Sequence, residues 1–244
     1  MIIYMTSSPS GGIRPTGKQI TTGLDYDNGF VEQLRSDWKE NSRFLLISAF
    51  PDSFDGNDEM RDFFENVFNE NGLTTSLCEL CDHRNLSVIS HLKDYDAIML
   101  SGGHVPTELA FFQEIHLKEA LADYDGIVIG VSAGTMNMAE TVYAIPEMPG
   151  EATDPSYERF VAGLGLTDLM VIPHFLNIKD DILDNQHMTW DIACPDSFGR
   201  KFYALADGSY IVLRNGQCSL YGEAYLISEG TVKQICADGE MLSL

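Results

Sequence analysis

Short apolar runs alternate along the first half of the chain with segments whose apolar residues recur at three- and four-residue spacing. The runs predict strands at 2–5, 43–50, 73–80, 97–101 and 126–131. A Gly/Pro-rich loop follows the first run, and the intervening segments predict helices at 28–40, from Asp58 to about 71, at 87–92 and from Pro106 onward. This βαβ rhythm is typical of an α/β fold with a doubly wound, mainly parallel, flavodoxin-like sheet.

The pattern changes after Gly163. A strand is predicted at LMVIPHF (169–175), a helix at 180–193, and β-rich sequence from 202 onward. Hairpin turns at Asn215-Gly216 and Glu229-Gly230 predict antiparallel C-terminal strands that finish the sheet. The sequence contains no linker or repeat, so residues 1–244 are expected to form one domain.

Charge and composition narrow the functional classes. With 15 Lys and Arg against 37 Asp and Glu, the net charge of -22 disfavours nucleic acid and anionic membrane surfaces as partners, and anionic substrates too. The N-terminal apolar run is too short for a signal peptide, and five scattered cysteines do not resemble a disulfide framework. We therefore expect a cytoplasmic protein. Cys78 and Cys81 lack a second ligand pair at metal-binding spacing, so no metal or other cofactor is predicted.

Gly130-Val131-Ser132-Ala133-Gly134 matches the G-x-S-x-G pattern where a predicted strand ends and a helix begins. A serine on such a turn is exposed for nucleophilic attack, and the Ala133 amide faces the position of a developing oxyanion. Gly102 and Gly103, which follow the neighbouring strand, are candidates for a second oxyanion donor. The alternatives are an N-cap serine in a phosphate-binding turn and an ordinary βα turn at the two glycines.

Ser132 needs a base and an orienting acid. His174 follows an apolar strand and is expected at the same sheet edge as Ser132, with His104 as the second candidate or as a pocket residue. Asp207 is the preferred acid, although Asp-Gly is also a common turn, and Glu147 is the second option. The order Ser, His, acid differs from that of α/β-hydrolases, which argues against an ordinary esterase or lipase.

Four segments, LSGGHVPTELAF, GVSAGTMNMA, VIPHFLN and ALADGSYIVLRNG, resemble the peptidase E family of aspartyl dipeptidases and its cyanophycinase relatives. The resemblance covers most of the chain and implies a class I glutamine amidotransferase-like fold. It implies Ser132 as nucleophile and His174 as base, and it leaves Asp207 and Glu147 as possible acids. Asn177, in the segment that resembles the family's P-H-F-x-N, is placed with the substrate-binding residues.

Two departures from the family concern the substrate. The stretch from Asn177 to Ala193 has no arginine where aspartyl dipeptidases carry one for the aspartyl side chain, and Lys179 would be a weaker substitute. His104 stands where the family has Asn. A glutamine amidotransferase would have Cys at Ser132 and Glu at Leu176, which disfavours that class.

The prediction is a serine-type, dipeptidase-like peptidase that acts on a small peptide with weak or no preference for Asp. The alternative is a non-catalytic small-molecule-binding protein on the same fold, in which the turn at Ser132 holds an anion. Monomer and homodimer both remain open.

Overall fold

The structure, a computed structural model, describes residues 1–9 and 23–244; most of the predicted Gly/Pro-rich loop lies outside the described residues. An eight-stranded sheet forms the centre of the fold. Five of its strands run parallel in the order β1-β5-β4-β2-β3, as the alternating pattern predicted. Their bounds are β1 Ile2–Thr6, β2 Ser42–Ile47, β3 Thr75–Cys81, β4 Ala97–Leu100 and β5 Ile127–Val131.

Helices cover both faces of this sheet, which makes the fold doubly wound. They are α1 Phe30–Asp37, α2 Phe54–Glu70, a 3₁₀ helix Leu86–Asp94, α3 Val105–Glu114 and α4 Leu117–Leu121. Successive strand residues point to opposite faces, so Leu45 packs in one core cluster with α3 and α4, while Phe44 packs in the other with α1 and α2. Helix α2 begins one turn before the predicted start at Asp58, whose carboxylate pairs with Arg61 and Arg84 instead of capping the helix.

The second half of the chain builds two sheets where one was predicted. Strands β12 Tyr210–Arg214, β13 Gln217–Tyr221 and β16 Met241–Ser243 extend the central sheet antiparallel. A separate four-stranded sheet contains β8 Met170–Ile172, β11 Lys201–Leu205, β14 Ala224–Ser228 and β15 Thr231–Cys236. The prediction that all C-terminal strands finish one sheet is therefore wrong for β11, β14 and β15. Both predicted hairpin turns are confirmed, with positive φ at all four turn residues.

Shorter elements complete the fold. They are α5 Ala133–Asn137, β6 Thr141–Tyr143, β7 Phe160–Ala162, α6 Phe175–Ile178, β9 Ile182–Leu183, β10 Gln186–His187, a π-helix Met188–Ala193 and α7 Cys194–Asp196. The helix predicted at 180–193 is wrong over its first half, because β9 and β10 form a hairpin there. Asp184 and Asn185 make its two-residue turn with φ of 52° and 64°, a conformation that Asp and Asn adopt more readily than most residues.

The strand ends bring distant segments of the chain together. Ser7 follows β1, Ser132 follows β5, and Gly102 follows β4 at one edge of the central sheet. In the second sheet β8 and β11 are parallel neighbours, so the residues just beyond them, His174 and Asp207, also lie side by side. Side chains at the carboxyl ends of strands from both sheets therefore share one site, as is general for α/β folds.

Candidate active site

The turn between β5 and α5 holds Ser132 in a strained conformation. Its φ of 52° and ψ of -114° lie in a region that a non-glycine residue adopts only when its surroundings enforce it. Gly130 and Gly134 make the turn possible: a Cβ at Gly134 would lie 2.3 Å from the carbonyl oxygen of Leu100. Ser132 is partly exposed, whereas the following residue, Ala133, is buried. The local structure therefore presents the Ser132 hydroxyl at the surface of a rigid turn.

Ser132, His174 and Asp207 form a continuous hydrogen-bonded chain. The Ser132 Oγ lies 2.9 Å from Nε2 of His174, and Nδ1 of His174 lies 2.6 Å from Oδ1 of Asp207. Because a carboxylate only accepts, we assign the imidazole proton to Nδ1, which leaves Nε2 to accept from the serine hydroxyl. The Asp207 side chain is 3% exposed and that of His174 34%. The acid is thus buried and the imidazole reaches the solvent-facing serine.

Three donors surround the Asp207 carboxylate. Besides His174, the hydroxyl of Ser7 donates to Oδ1 at 2.9 Å and the amide of Asn177 donates to Oδ2 at 2.7 Å. Burial alone would raise the pKa of Asp207, but the hydrogen bond and charge of His174, together with Ser7 and Asn177, outweigh it and hold the pKa below its ordinary value. Asp207 is therefore ionised while it orients the imidazole.

Ser7 and Asn177 both contact residues of the Ser132–His174–Asp207 chain. The Ser7 Oγ also accepts the backbone N–H of His174 at 2.7 Å, so it links both residues to the end of β1. Ser7 is not among the residues predicted from the sequence, although its position directly after the first strand was a signal. Asn177 was placed with the substrate-binding residues, but its amide holds Asp207 and it does not line the cavity described below.

The backbone next to Ser132 offers donors for an oxyanion. Within the described residues, the N–H groups of Ala133 and Gly103 make no hydrogen bond, and Gly103 lines the cavity together with Ser132. Gly102 packs against the serine: a Cβ there would lie 3.1 Å from the Ser132 Cβ. The sequence-predicted donors therefore stand beside the nucleophile, and the glycines permit that close approach.

A cavity of about 390 Å³ opens beside Ser132 and His174. Its size is at the small end of the range for small-molecule sites. Apolar side chains dominate its walls, and two carboxylates, Glu147 and Asp181, face it. The lining residues are Gly103, Ser132, Ile145, Pro146, Glu147, Pro173, His174, Ile178, Asp181, Ile182, Leu183 and Met188.

Glu147 lies in the cavity wall, while Asp207 takes the position next to Nδ1 of His174. Glu147 is exposed to the cavity, but the protein around it limits hydration; this desolvation and the charge of Glu151 outweigh His104 and His174, and the pKa of Glu147 is raised. His104 was predicted as a base or pocket residue. It lies outside the cavity lining, and its ring contacts Thr107 and Glu151, each at 2.8 Å.

Two carboxylates accept hydrogen bonds from the backbone of the loop that carries Glu147. Glu151 accepts the backbone N–H groups of Glu147 and Met148 at 2.8 and 2.9 Å. Asp184, at the tip of the β9–β10 hairpin, accepts the N–H of Gly150 at 2.9 Å. The loop and the hairpin, two walls of the cavity, are thereby tied together.

A fully buried carboxyl lies behind the nucleophile turn. Oε2 of Glu108 in α3 accepts from the amide of Asn137 in α5 at 2.9 Å, and the same amide group also donates to the carbonyl of Val105. Within the described residues, Oε1 of Glu108 and Oδ1 of Asn137 have no partner. Burial raises the pKa of Glu108 well above its ordinary value, which favours the neutral form of this carboxyl beside the helix that follows Ser132.

No Lys or Arg lines the cavity within the described part of the chain. Lys179, the weaker candidate for a carboxylate-binding cation, stands 3.6 Å from Asp180. In residues 1–9 and 23–244, no group of three or more His, Cys, Asp and Glu side chains is placed to hold a metal ion. Across those same ranges, no helix is long and apolar enough to cross a bilayer.

A strained serine between a parallel strand and a helix, bonded to a histidine that is itself bonded to a buried aspartate, is the arrangement of serine hydrolases. Comparison with known families narrows this class. The sequence matches the model of peptidase family S51 over residues 33–221, and the chain belongs to that family of serine peptidases. It is therefore a serine-type peptidase, as the resemblance to peptidase E predicted.

Solved structures support the same fold. The chain is similar to the crystal structure of a peptidase from an acI-B1 Actinobacterium, with a TM-score of 0.65 and 18% identity over 100% of this chain and 96% of that one. It is also similar to a candidate peptidase E protein from Listeria monocytogenes EGD-e, with a TM-score of 0.57 and 13% identity over 96% and 98% of the two chains. At these identities the likeness is one of fold. A search of curated proteins found no match to the sequence.

Proposed function

We propose that this peptidase cleaves short peptides through an acyl-enzyme on Ser132, with His174 as general base and Asp207 as its orienting acid. The observation that carries the proposal is the pair of contacts at His174, 2.9 Å to the Ser132 hydroxyl and 2.6 Å to the Asp207 carboxylate. The non-catalytic alternative expects Ser132 and His174 to lie apart, and the contact between them favours catalysis.

In the first half of the proposed reaction, the Ser132 Oγ attacks the scissile carbonyl carbon while Nε2 of His174 takes the hydroxyl proton. The imidazolium that forms is stabilised through Nδ1 by the buried Asp207 carboxylate. The N–H groups of Ala133 and Gly103 receive the negative charge of the tetrahedral intermediate, and the positive end of α5 faces the same atom.

The second half of the reaction reverses the proton transfers. His174 donates its proton to the leaving amine as the C–N bond breaks, which leaves an ester on Ser132. A water molecule, deprotonated by the same imidazole, attacks the ester carbonyl and releases the acid product and the free serine. The proposed chemistry uses only groups that the strand ends supply.

Ser7 and Asp207 come from opposite ends of the chain. Because both belong to this one site, they support the proposal that the chain acts as one domain.

The cavity volume of about 390 Å³ supports a short peptide as the substrate. The absence of an arginine between Asn177 and Ala193 supports weak or no preference for an N-terminal Asp. All five cysteines, among them the buried Cys81, Cys194 and Cys236, are free thiols, which supports the proposal of a reducing, cytoplasmic location.

Hydrolysis of a panel of dipeptides, followed by chromatography of the products, tests the proposal. Ser132→Ala and His174→Ala should each lower kcat by about 10⁴-fold or more, because the triad acts as a unit. Ser87→Ala and His91→Ala, which change the same residue types at exposed positions, should leave kcat unchanged. Turnover in Ser132→Ala at the wild-type rate would contradict the proposal.

A further inference from the structure

The walls of the cavity beside Ser132 are built for an apolar group. Five aliphatic or thioether side chains face it: Ile145, Ile178, Ile182, Leu183 and Met188. Ile182, which is 64% exposed, belongs to this lining, so part of the aliphatic wall is in contact with solvent. A substrate side chain that enters this cavity therefore exchanges water for aliphatic contacts.

Apart from the imidazole of the triad, every titratable side chain that lines this cavity within the described residues is acidic. Within the described residues, the carboxylates of Glu147 and Asp181 have no hydrogen-bonding or ion-pairing partner, and no lysine or arginine lines the cavity. A substrate carboxylate here would lose hydration and face two like charges, and none of the described lining residues carries a guanidinium that could receive it. The cavity therefore disfavours an acidic side chain.

Glu147 is the carboxylate that we consider next to the reacting atoms. Its side chain lines the same cavity as the Ser132 hydroxyl and the His174 imidazole. In a peptide cleaved after its first residue, the free α-ammonium is two bonds from the carbonyl carbon that the serine attacks. A carboxylate near the triad is therefore in the region where that ammonium must lie, and a cation there would offset the unfavourable desolvation of Glu147.

We propose that the cavity is the subsite for an uncharged, apolar N-terminal residue, whose free α-ammonium is bound by Glu147 and whose side chain packs on the aliphatic wall. The substrate class is thus short peptides with an N-terminal residue such as Leu, Ile or Met. This inference rests on the proposed function, because it assigns the residue whose carbonyl Ser132 attacks. Asp181 strengthens the selection against acidic side chains.

Three p-nitroanilides separate the two parts of the inference: Leu-p-nitroanilide, Asp-p-nitroanilide and N-acetyl-Leu-p-nitroanilide, the last without the ammonium. For the wild type, kcat/KM for the first should exceed that for each of the others by at least about tenfold. The acetylated substrate lacks the charge-assisted hydrogen bond of the ammonium, and the Asp substrate brings a carboxylate next to two like charges. Glu147→Gln should lower kcat/KM for Leu-p-nitroanilide about tenfold and leave the acetylated substrate unchanged.

Asp181→Asn should raise the ratio of Asp- to Leu-p-nitroanilide hydrolysis, whereas Asp180→Asn should not, because Asp180 lies next to Lys179 and outside the cavity. Fluorophosphonate labelling of Ser132 in all three variants shows that the fold and triad are intact, and Asp180→Asn, which lies outside the cavity, should be labelled at the wild-type rate.

Several results would overturn the inference: Asp-p-nitroanilide as the best substrate, an equal loss on the free and acetylated substrates in Glu147→Gln, or no hydrolysis of any of the three by a protein that is still labelled on Ser132. These outcomes leave the proposed function standing. A wild-type protein whose Ser132 is not labelled would instead refute the proposed function itself.

Discussion

Replacing Asp207 by Asn tests the triad at the residue whose carboxylate accepts hydrogen bonds from several donors. The carboxylate is held by donors from three sides, His174, Ser7 and Asn177. An Asn side chain must turn its NH₂ group toward one of these donors. If it faces His174 and Ser7, the imidazole is driven to the tautomer that carries its proton on Nε2 and cannot accept from Ser132. If it faces Asn177, two NH₂ groups oppose each other until Asn177 rotates.

The expected fall in kcat follows from the interactions with Asp207 that the transition state loses. The imidazolium loses a buried negative charge that accepts its Nδ1–H at 2.6 Å, and part of the population holds the wrong tautomer. In serine proteases this change costs about 10⁴-fold in kcat, and we expect about 10³–10⁴-fold here, or ~4–5.5 kcal/mol. KM should change little, because Asp207 is buried and does not line the cavity.

Steady-state hydrolysis by purified Asp207→Asn, with thermal melting to verify folding, measures the effect. Asn177→Ala removes one neutral donor from the same carboxylate and should cost about tenfold or less. Asp123→Asn makes the same chemical change at an exposed position and should cost nothing. A kcat for Asp207→Asn within about threefold of the wild-type value would refute the assignment of Asp207 as the orienting acid.

Two further predictions concern the support of the nucleophile turn. Gly134→Ala should reduce both the melting temperature and Ser132 labelling, because its Cβ would meet the Leu100 carbonyl oxygen at 2.3 Å; an unchanged melting curve would contradict this packing argument. Glu108→Gln should become stabilising relative to the wild type as pH rises. The raised pKa keeps Glu108 protonated in the folded protein while the unfolded chain ionises above its ordinary value of 4.5, so the wild type loses up to about 1.4 kcal/mol per pH unit until the folded group ionises. Denaturant unfolding from pH 4 to 8 measures the difference, and a pH-independent gap would show that Glu108 is not held neutral.

The sequence predicted the parallel half of the fold because each element there carries a local signal. Strands buried on both faces are continuous apolar runs, such as residues 126–131, and the helices between them have one apolar face. The late strands lack such a signal for their partners. Segments 201–205 and 210–214 both read as strands separated by an Asp-Gly turn, yet they belong to different sheets. Which sheet a strand joins depends on non-local pairing.

The β9–β10 hairpin was missed for a related reason. A helix was expected between 180 and 193, but Asp184 at the hairpin turn accepts hydrogen bonds from Gly150 and Ala152, residues of the distant loop. Those contacts favour the hairpin, and a local pattern contains no trace of them.

The residues of the candidate site also divide into those with a local sequence signal and those that depend on contacts between distant segments. Ser132, His174 and Asp207 follow strand ends and have side chains whose chemistry suggests a role, so position and residue type were sufficient to select them. Ser7 and Asn177 have ordinary polar side chains, and their function depends on hydrogen bonds to Asp207, which is 200 and 30 residues away in the sequence. Only the folded chain places them.

The central claim is that Ser132 is a nucleophile activated by His174. Incubation with a fluorophosphonate, followed by intact mass measurement and peptide mapping, tests it directly. The account predicts one covalent adduct per chain, located on Ser132, absent in Ser132→Ala and formed at least about 10³-fold more slowly in His174→Ala. A native protein that forms no adduct, or an adduct that forms in either variant at the wild-type rate, would contradict the claim.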